Sequence, residues 1–176
     1  MQKSNMGNKT PLLLPILQVS HSSCSEFDCG VDPLNDYFKR YARGNHKKGL
    51  SSTFVLLGQG NEVEGFYSLA MGSVEVFDLP PSIEAKLPKY PLPIGRLTRL
   101  AVASSSQGKG LGQFLLVDAI ERVCIASETV AAYAIIVDAK DLKAKSFYEK
   151  YGFISTNRDP LTLYLPLAEF KKKLLR

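Results

Sequence analysis

The sequence predicts a mixed α/β protein, a twisted sheet with helices on both faces, and three observations predict it. Arg99-Leu-Ala-Val102 reads as a short strand, Gln107-Gly-Lys-Gly-Leu-Gly112 as a glycine-rich loop, and the next residues as an amphipathic helix. Leu111, Leu115, Ala119 and Val123 fall on one helical stripe, with Leu116, Ile120 and Cys124 beside it, so the loop sits at a helix N-terminus. Tyr133-Ala-Ile-Ile-Val137 is then an apolar, β-branched run of the kind found in buried strands. Finally, Thr53-Phe-Val-Leu-Leu57 and Val63-Glu-Gly-Phe-Tyr-Ser-Leu69 flank the turn Gly58-Gln-Gly-Asn61, which predicts an antiparallel pair.

Taken in order, residues 1–20 read as a flexible tail and lead-in, and residues 21–176 as one domain. Lys3 and Lys9 precede the apolar run Leu12-Leu-Leu-Pro-Ile-Leu17, but Pro15 and Gln18 cut it short, so a tail leading into a first strand is expected rather than a signal peptide. Asp32 and Pro33 open a helix, as cap and first-turn residue, and Leu34, Phe38 and Tyr41 give it an apolar stripe. Prolines at 80, 81, 88, 91 and 93 break the stretch from Ala70 to Pro93 into a long loop with at most a short helix over 82–87. Past the second strand, Asp141 offers an N-cap, Ala144, Phe147, Tyr148 and Tyr151 lie at helical spacing, and Gly152 stops the helix.

Composition excludes several classes. A chain of 176 residues with 45% hydrophobic residues fits one good core, and no stretch is long enough to span a membrane, so a cytoplasmic protein is expected. Cys24, Cys29 and Cys124 form no paired spacing and His21 and His46 no cluster with them, which argues against a disulfide framework or a metal site. The net charge of +5 is modest, but Lys39, Arg40, Arg43, His46, Lys47 and Lys48 gather on the first helix, and Lys171, Lys172, Lys173 and Arg176 at the C-terminus. Such clusters are either solvated faces or surfaces that track RNA phosphates.

The glycine loop is an anion site in principle. The first N–H groups of a helix lack intrahelical partners, its dipole adds partial positive charge, and Gly108, Gly110 and Gly112 let a pyrophosphate approach the backbone. Lys109 is followed by Gly110, not Ser or Thr, and no acidic residue stands where a ribose partner is needed, so neither a nucleoside triphosphate nor a dinucleotide is indicated.

Gln-x-x-Gly-x-Gly after a strand, then a second strand and Asp-x-x-Ala-x-x-Phe-Tyr-x-x-x-Gly-Phe, resembles the GNAT superfamily of acetyl-CoA-dependent N-acetyltransferases. Phe27-Asp-Cys-Gly30, Leu34-Asn35, Gly65-Phe-Tyr-Ser-Leu69, Pro93-Ile-Gly-Arg-Leu97 and Thr162-Leu-Tyr-Leu165 extend the resemblance to the GNAT toxins of bacterial toxin–antitoxin pairs, over roughly residues 27 to 168. The resemblance implies a sheet in which the strands at Arg99–Val102 and Ala134–Val137 run parallel and splay apart, with acetyl-CoA in the gap. It implies acetylation of the α-amine of an aminoacyl-tRNA, a ribbon-helix-helix antitoxin as partner, and a homodimer.

On the same basis Leu100, Ala101 and Val102 would pair with the pantetheine arm and polarise the thioester, while Gln107, Gly108, Lys109, Gly110, Leu111 and Gly112 would hold the pyrophosphate. Asp141 and Phe147 would complete the cofactor site. On spacing alone Tyr148 is a core aromatic. The family motif instead makes it the proton donor, for which a phenol, protonated at neutral pH, is suited. Arg40, Arg43, Lys47, Lys48, Arg96 and Arg99 are the acceptor-binding candidates, and the displaced Gly95-Arg96-Leu97 leaves open which arginine faces the acceptor. Glu64 and Glu75 are the base candidates through water, although an ester-linked α-amine, whose pKa lies below about 8, needs none near neutral pH. Two other classes are compatible: a GNAT enzyme for protein N-termini, polyamines or antibiotics, and a noncatalytic CoA- or RNA-binding module.

Overall fold

The computed structural model describes residues 11–174. Seven strands form one sheet in the order β1-β2-β3-β4-β5-β7-β6: β1 (Leu12–Pro15), β2 (Ser52–Leu57), β3 (Val63–Val74), β4 (Leu92–Val102), β5 (Ala134–Asp138), β6 (Ile154–Ser155) and β7 (Thr162–Pro166). Every adjacent pair is antiparallel except β4 and β5. Among these described residues seven α-helices accompany the sheet: α1 (His21–Ser25), α2 (Asp32–Asp36), α3 (Arg43–Lys47), α4 (Pro81–Glu84), α5 (Leu111–Ala126), α6 (Leu142–Glu149) and α7 (Leu167–Leu174).

Side chains alternate across the sheet, so each strand feeds two cores. Leu56, Tyr67, Leu97, Ile135 and Val137 pack against Leu115, Leu116, Ala119 and Ile120 of α5 and Tyr148 of α6. On the opposite face Val55, Phe66 and Ala101 meet Phe27 and Phe38 from the α1–α3 layer, with the Phe38 and Phe66 rings stacked 4.4 Å apart. Ile94, Ile136 and Tyr164 form a third cluster with Val76 and Leu79. The Tyr67 hydroxyl donates to Asp118 on α5, and Arg122 joins that carboxylate at 2.8 Å while lying 3.9 Å over the Phe54 ring, which locks α5 onto the sheet.

Several expectations need correction. The first strand expected after the tail is β1, within the lead-in, and it pairs along β2 from Leu12↔Leu57 to Pro15↔Phe54; residues 1–10 lie outside the described part. Asp32 is the first helical residue and Val31 the cap, with no side-chain capping bond. α2 continues into α3 through a π-helical stretch, Tyr37–Ala42. A wider turn rotates the apolar stripe by one residue. Phe38 (1% exposed) is therefore followed inward by Ala42 (0%), and Tyr41 (53%) faces solvent. β3 and β4 are longer than their local signals, and they pair as far as Val74↔Leu92. Pro93 fits near the start of β4, where its carbonyl accepts from the Tyr133 N–H at 2.8 Å. The short helix expected over 82–87 is α4.

Two glycines should respond oppositely to alanine. At Gly65 a Cβ would stand 2.9 Å from the Ala101 carbonyl oxygen and 2.8 Å from Leu115, whereas at Gly44 in α3 it would meet nothing within 4 Å. Chemical denaturation should therefore show Gly65→Ala losing about 1–3 kcal/mol through overpacking. Gly44→Ala should gain about 0.4–1 kcal/mol, by reducing the freedom of the unfolded chain.

Candidate active site

The glycine loop is fixed by a bracket from residues some seventy to eighty positions earlier in the chain. Asp28 accepts from the Gly30 N–H (2.8 Å) and from the Asn35 side-chain amide (2.8 Å), and those bonds hold its carboxyl below the usual carboxylate range. Asn35 in turn accepts from the Cys29 N–H (2.9 Å), and the Asp28 carbonyl accepts from the Ser104 N–H (2.8 Å). Gln107 closes the bracket, its amide donating to the carbonyls of Cys29 (3.2 Å) and Val102 (3.0 Å). Gly108 (φ 77°) and Gly110 (φ 80°) then turn the chain through left-handed conformations into α5, with open space where a Cβ would stand.

β4 leaves β5 just before this loop. The two strands pair from Ile94↔Ala134 to Leu97↔Val137 and no further. At that point β4 carries a bulge: Leu69 opposes Leu97 and Ser68 opposes Arg99, so Thr98 is the extra residue, its hydroxyl donating to the Ser68 carbonyl at 3.1 Å. A bulge bends its strand and raises the local twist, which steers β4 away from β5. The Ala103 N–H bonds to the Glu64 carbonyl (2.8 Å), so by antiparallel alternation the N–H groups of Leu100 and Val102 point away from β3 into the gap.

The gap opens on two clefts. One, of about 470 Å³, runs from Leu100 and Val102 past the glycine loop to the first turns of α6. A second, of about 100 Å³, is walled by Leu34, Thr98, Arg99, Val137 and Lys140. Tyr148 lines both. Asp141 caps α6 through the Ala144 N–H (2.7 Å), and Gly152 (φ 90°) follows its end, while Phe147 and Phe153 hold the Tyr148 ring at 5.2 and 5.6 Å. Burial pushes the Tyr148 phenol well above its ordinary range, and its O–H makes no hydrogen bond among the described residues.

The larger cleft gathers Leu100, Val102, Gln107, Gly108, Gly110, Leu111, Gly112, Asp141, Phe147 and Tyr148 of the expected residues. Ala101 points to the opposite core, and Lys109 does not line the cleft. Arg99 reaches the smaller cleft, its guanidinium 4.6 Å over the Tyr37 ring, whereas Arg96 pairs with Asp138 (2.8 Å) in a separate polar cavity shared with Glu75. Glu64 lines neither of the two clefts. On the first helix Arg40 pairs with Asp36 (2.9 Å), Lys47 and Lys48 are exposed, and Arg43 is spent on the Val19 carbonyl and the Cys24 sulfur, a structural tie rather than a free cation. Of the C-terminal group, Lys172 pairs with Glu169 (3.4 Å); the Lys173 side chain and Arg176 lie outside the described part. Cys29 is buried, and burial raises its thiol pKa. Sequence reading missed Lys140, Lys143, Ala144 and Tyr151 as cleft residues. For Ala144 and Tyr151 the signal was present, because they fall at helical spacing with Phe147 and Tyr148 behind the Asp141 cap.

An acetyltransferase (GNAT) domain family matches residues 88–174. A tRNA-acetylating toxin of Mycobacterium tuberculosis is 40% identical over 145 residues, covering 82% of this chain and 86% of the relative. The chain belongs to the GNAT acetyltransferases. Among solved structures, a Tyr-to-Phe mutant of KacT superposes with a TM-score of 0.85 at 27% identity, covering 94% of this chain and 99% of that one. The toxin AtaT complexed with acetyl-methionyl-tRNAfMet gives 0.84 at 26% identity, with the same coverage of each chain.

As a GNAT acetyltransferase it is an acetyl-CoA-dependent N-acetyltransferase, and the donor set fits that cofactor. The α5 N-terminus and the uncrowded backbone of Gly108 and Gly110 suit a pyrophosphate, and the outward N–H groups of β4 suit the amide-bearing arm. Gly110→Ala should raise the dissociation constant for CoA about tenfold in calorimetry, because a side chain at positive φ costs about 1–2 kcal/mol and relaxing it turns the loop N–H away. Unchanged affinity would show that the loop does not hold the phosphates.

Proposed function

We propose that this acetyltransferase acetylates the free α-amine of the amino acid on a charged tRNA, and that it acts as a translation-blocking toxin neutralised by a ribbon-helix-helix antitoxin. The observation that carries the reading is the 40% identical tRNA-acetylating toxin, which covers most of this chain. The acceptor side agrees with it. Leu34 of the first helix walls the smaller cleft, and the same helix continues into Lys39, Arg40 and Lys47, which line an open basic groove. An acceptor stem entering there would find its phosphates tracked while its amine reaches Tyr148. Charged tRNA places the reaction in the cytoplasm; no helix among the described residues is long and apolar enough to cross a membrane.

Acetyl-CoA supplies the acetyl group as an activated thioester. The Leu100 and Val102 N–H groups hold the arm and polarise its carbonyl. The amine, neutral in useful fraction near pH 7, forms the new C–N bond and gives up a proton to water. Tyr148 donates its phenolic proton to the sulfur as the C–S bond breaks, and the phenolate recovers a proton from solvent. A small cationic amine is served less well. Two of the four carboxylates of the neighbouring polar cavity are already paired, Asp138 with Arg96 (2.8 Å) and Asp78 with Arg158 (3.8 Å), and Tyr148 does not line that cavity.

Labelled acetyl-CoA offered to charged tRNA, uncharged tRNA, spermidine and a short peptide tests the reading. Label should appear on charged tRNA alone, and expression without the antitoxin should arrest growth; label on spermidine or peptide instead would overturn the tRNA reading. Tyr148→Phe should lower kcat about 10²–10⁴-fold, the usual worth of a general acid, with CoA affinity nearly unchanged. Because the Tyr148 phenol pKa is raised, the acid stays protonated, so kcat/KM should rise with pH as the amine loses its proton and show no fall up to about pH 10.

A further inference from the structure

We propose that Arg99, held over the Tyr37 ring, is a phosphate clamp on the acceptor side: it grips the internucleotide phosphate next to the aminoacylated nucleotide, so that the enzyme selects an amine carried on a phosphodiester-linked nucleotide over the same amine on a phosphate-free ester. This rests on the tRNA reading above and specifies which part of the RNA is read beside the reacting atoms.

The described arginines differ in how they are used. Arg40, Arg96, Arg122 and Arg158 each have a carboxylate within 4 Å, and Arg43 is tied to the Val19 carbonyl. Arg99 has no carboxylate partner among the described residues; it donates from Nη1 to the Thr98 carbonyl (2.7 Å) and its guanidinium lies 4.6 Å over the Tyr37 ring. An aromatic face stabilises a guanidinium without neutralising it, which leaves a full charge and further N–H donors for an anion. A planar guanidinium also matches a phosphate through two parallel hydrogen bonds. Lys140 stands on the same small cleft, whose carboxylate, Asp138, is already engaged by Arg96 and by the Thr162 hydroxyl (2.7 Å).

The support under Arg99 is built for position. The Tyr37 hydroxyl is bonded to those of Ser51 (3.1 Å) and Ser68 (3.2 Å), and Ser68 to Thr53 (2.6 Å). Tyr37 also opens the π-helical stretch, a feature common at functional sites. The bulge at Thr98 matters as well. Without the extra residue, Arg99 would lie on the opposite face from Ala101's neighbours and from Tyr37. A helix, a buried hydroxyl chain and a strand irregularity thus converge on one unpaired cation beside Tyr148.

The test compares two acceptors bearing one amino acid: its 3′-ester of adenosine, which has no phosphate, and its 3′-ester of cytidylyl-adenosine, which has one. Wild type should favour the second by about tenfold or more in kcat/KM, chiefly through KM. Arg99→Ala should bring that ratio near one and Arg99→Lys leave it intermediate. Tyr37→Leu should erode the ratio, while Tyr37→Phe, which keeps the ring, should retain most of it. Far-ultraviolet circular dichroism and CoA affinity check that the variants remain folded. Equal use of the two acceptors by wild type, or a ratio that survives Arg99→Ala, would overturn the clamp while leaving the tRNA reading intact. No transfer to whole charged tRNA would overturn the tRNA reading and the clamp together.

Discussion

The site depends on one irregularity, the extra residue at Thr98, where β4 stops pairing with β5. Four residue pairs hold the parallel strands together, and beyond Leu97↔Val137 the ladder is interrupted. An interrupted ladder inside a sheet is costly unless its exposed N–H groups find partners, since backbone donors shielded from water carry a desolvation penalty. Here the interruption produces an edge in the middle of the molecule, a place where an extended, amide-bearing molecule can add as a strand would. The bulge also sets side-chain direction. By strict alternation Arg96 and Arg99 would face opposite sides, but the added residue puts both on the face of the α1–α3 layer and leaves Leu100 and Val102 toward α5.

The bracket of Asp28, Asn35 and Gln107 joins the two halves of the reaction. Asp28 and Asn35 belong to the segment that opens the first helix, on the acceptor side, whereas Gln107 begins the loop on the cofactor side. These bonds give the loop and the helix one common support. An enzyme that must bring an amine within about 3–3.5 Å of a thioester gains from such a tie, because small misplacements are expensive in rate. Tyr148 sits where the halves meet, its ring fixed by Phe147 and Phe153 and its hydroxyl unclaimed among the described residues.

The features legible in the sequence were those written locally. The stripe of α5, the Asp141 cap, the apolar run of β5 and the positive φ at Gly152 each depend on residues within a few positions of one another. What was not legible arises from pairing across distance. Nothing in Thr98 marks it as a bulge, because a bulge belongs to two strands, and so the choice between Arg96 and Arg99 stayed open until β3 was laid against β4. The π-helical turn escaped for the same reason: Tyr41 has the right spacing for a core residue, yet it is the small Ala42 that enters the close-packed cluster of Phe38, Val55 and Phe66. Arg43 looked like one more cation of a basic face, and only the return of the chain at Val19 claims it.

Backbone hydrogen exchange at β4, free and with CoA, tests the central claim most directly. The account predicts that Leu100 and Val102 amides exchange readily in the free protein and become strongly protected on CoA binding, while Ala101, whose N–H faces β3, is already protected and changes little. Protection of Leu100 and Val102 that is already high without CoA, or that CoA leaves unchanged, would contradict the claim that the bulged, splayed strand is the cofactor's binding edge.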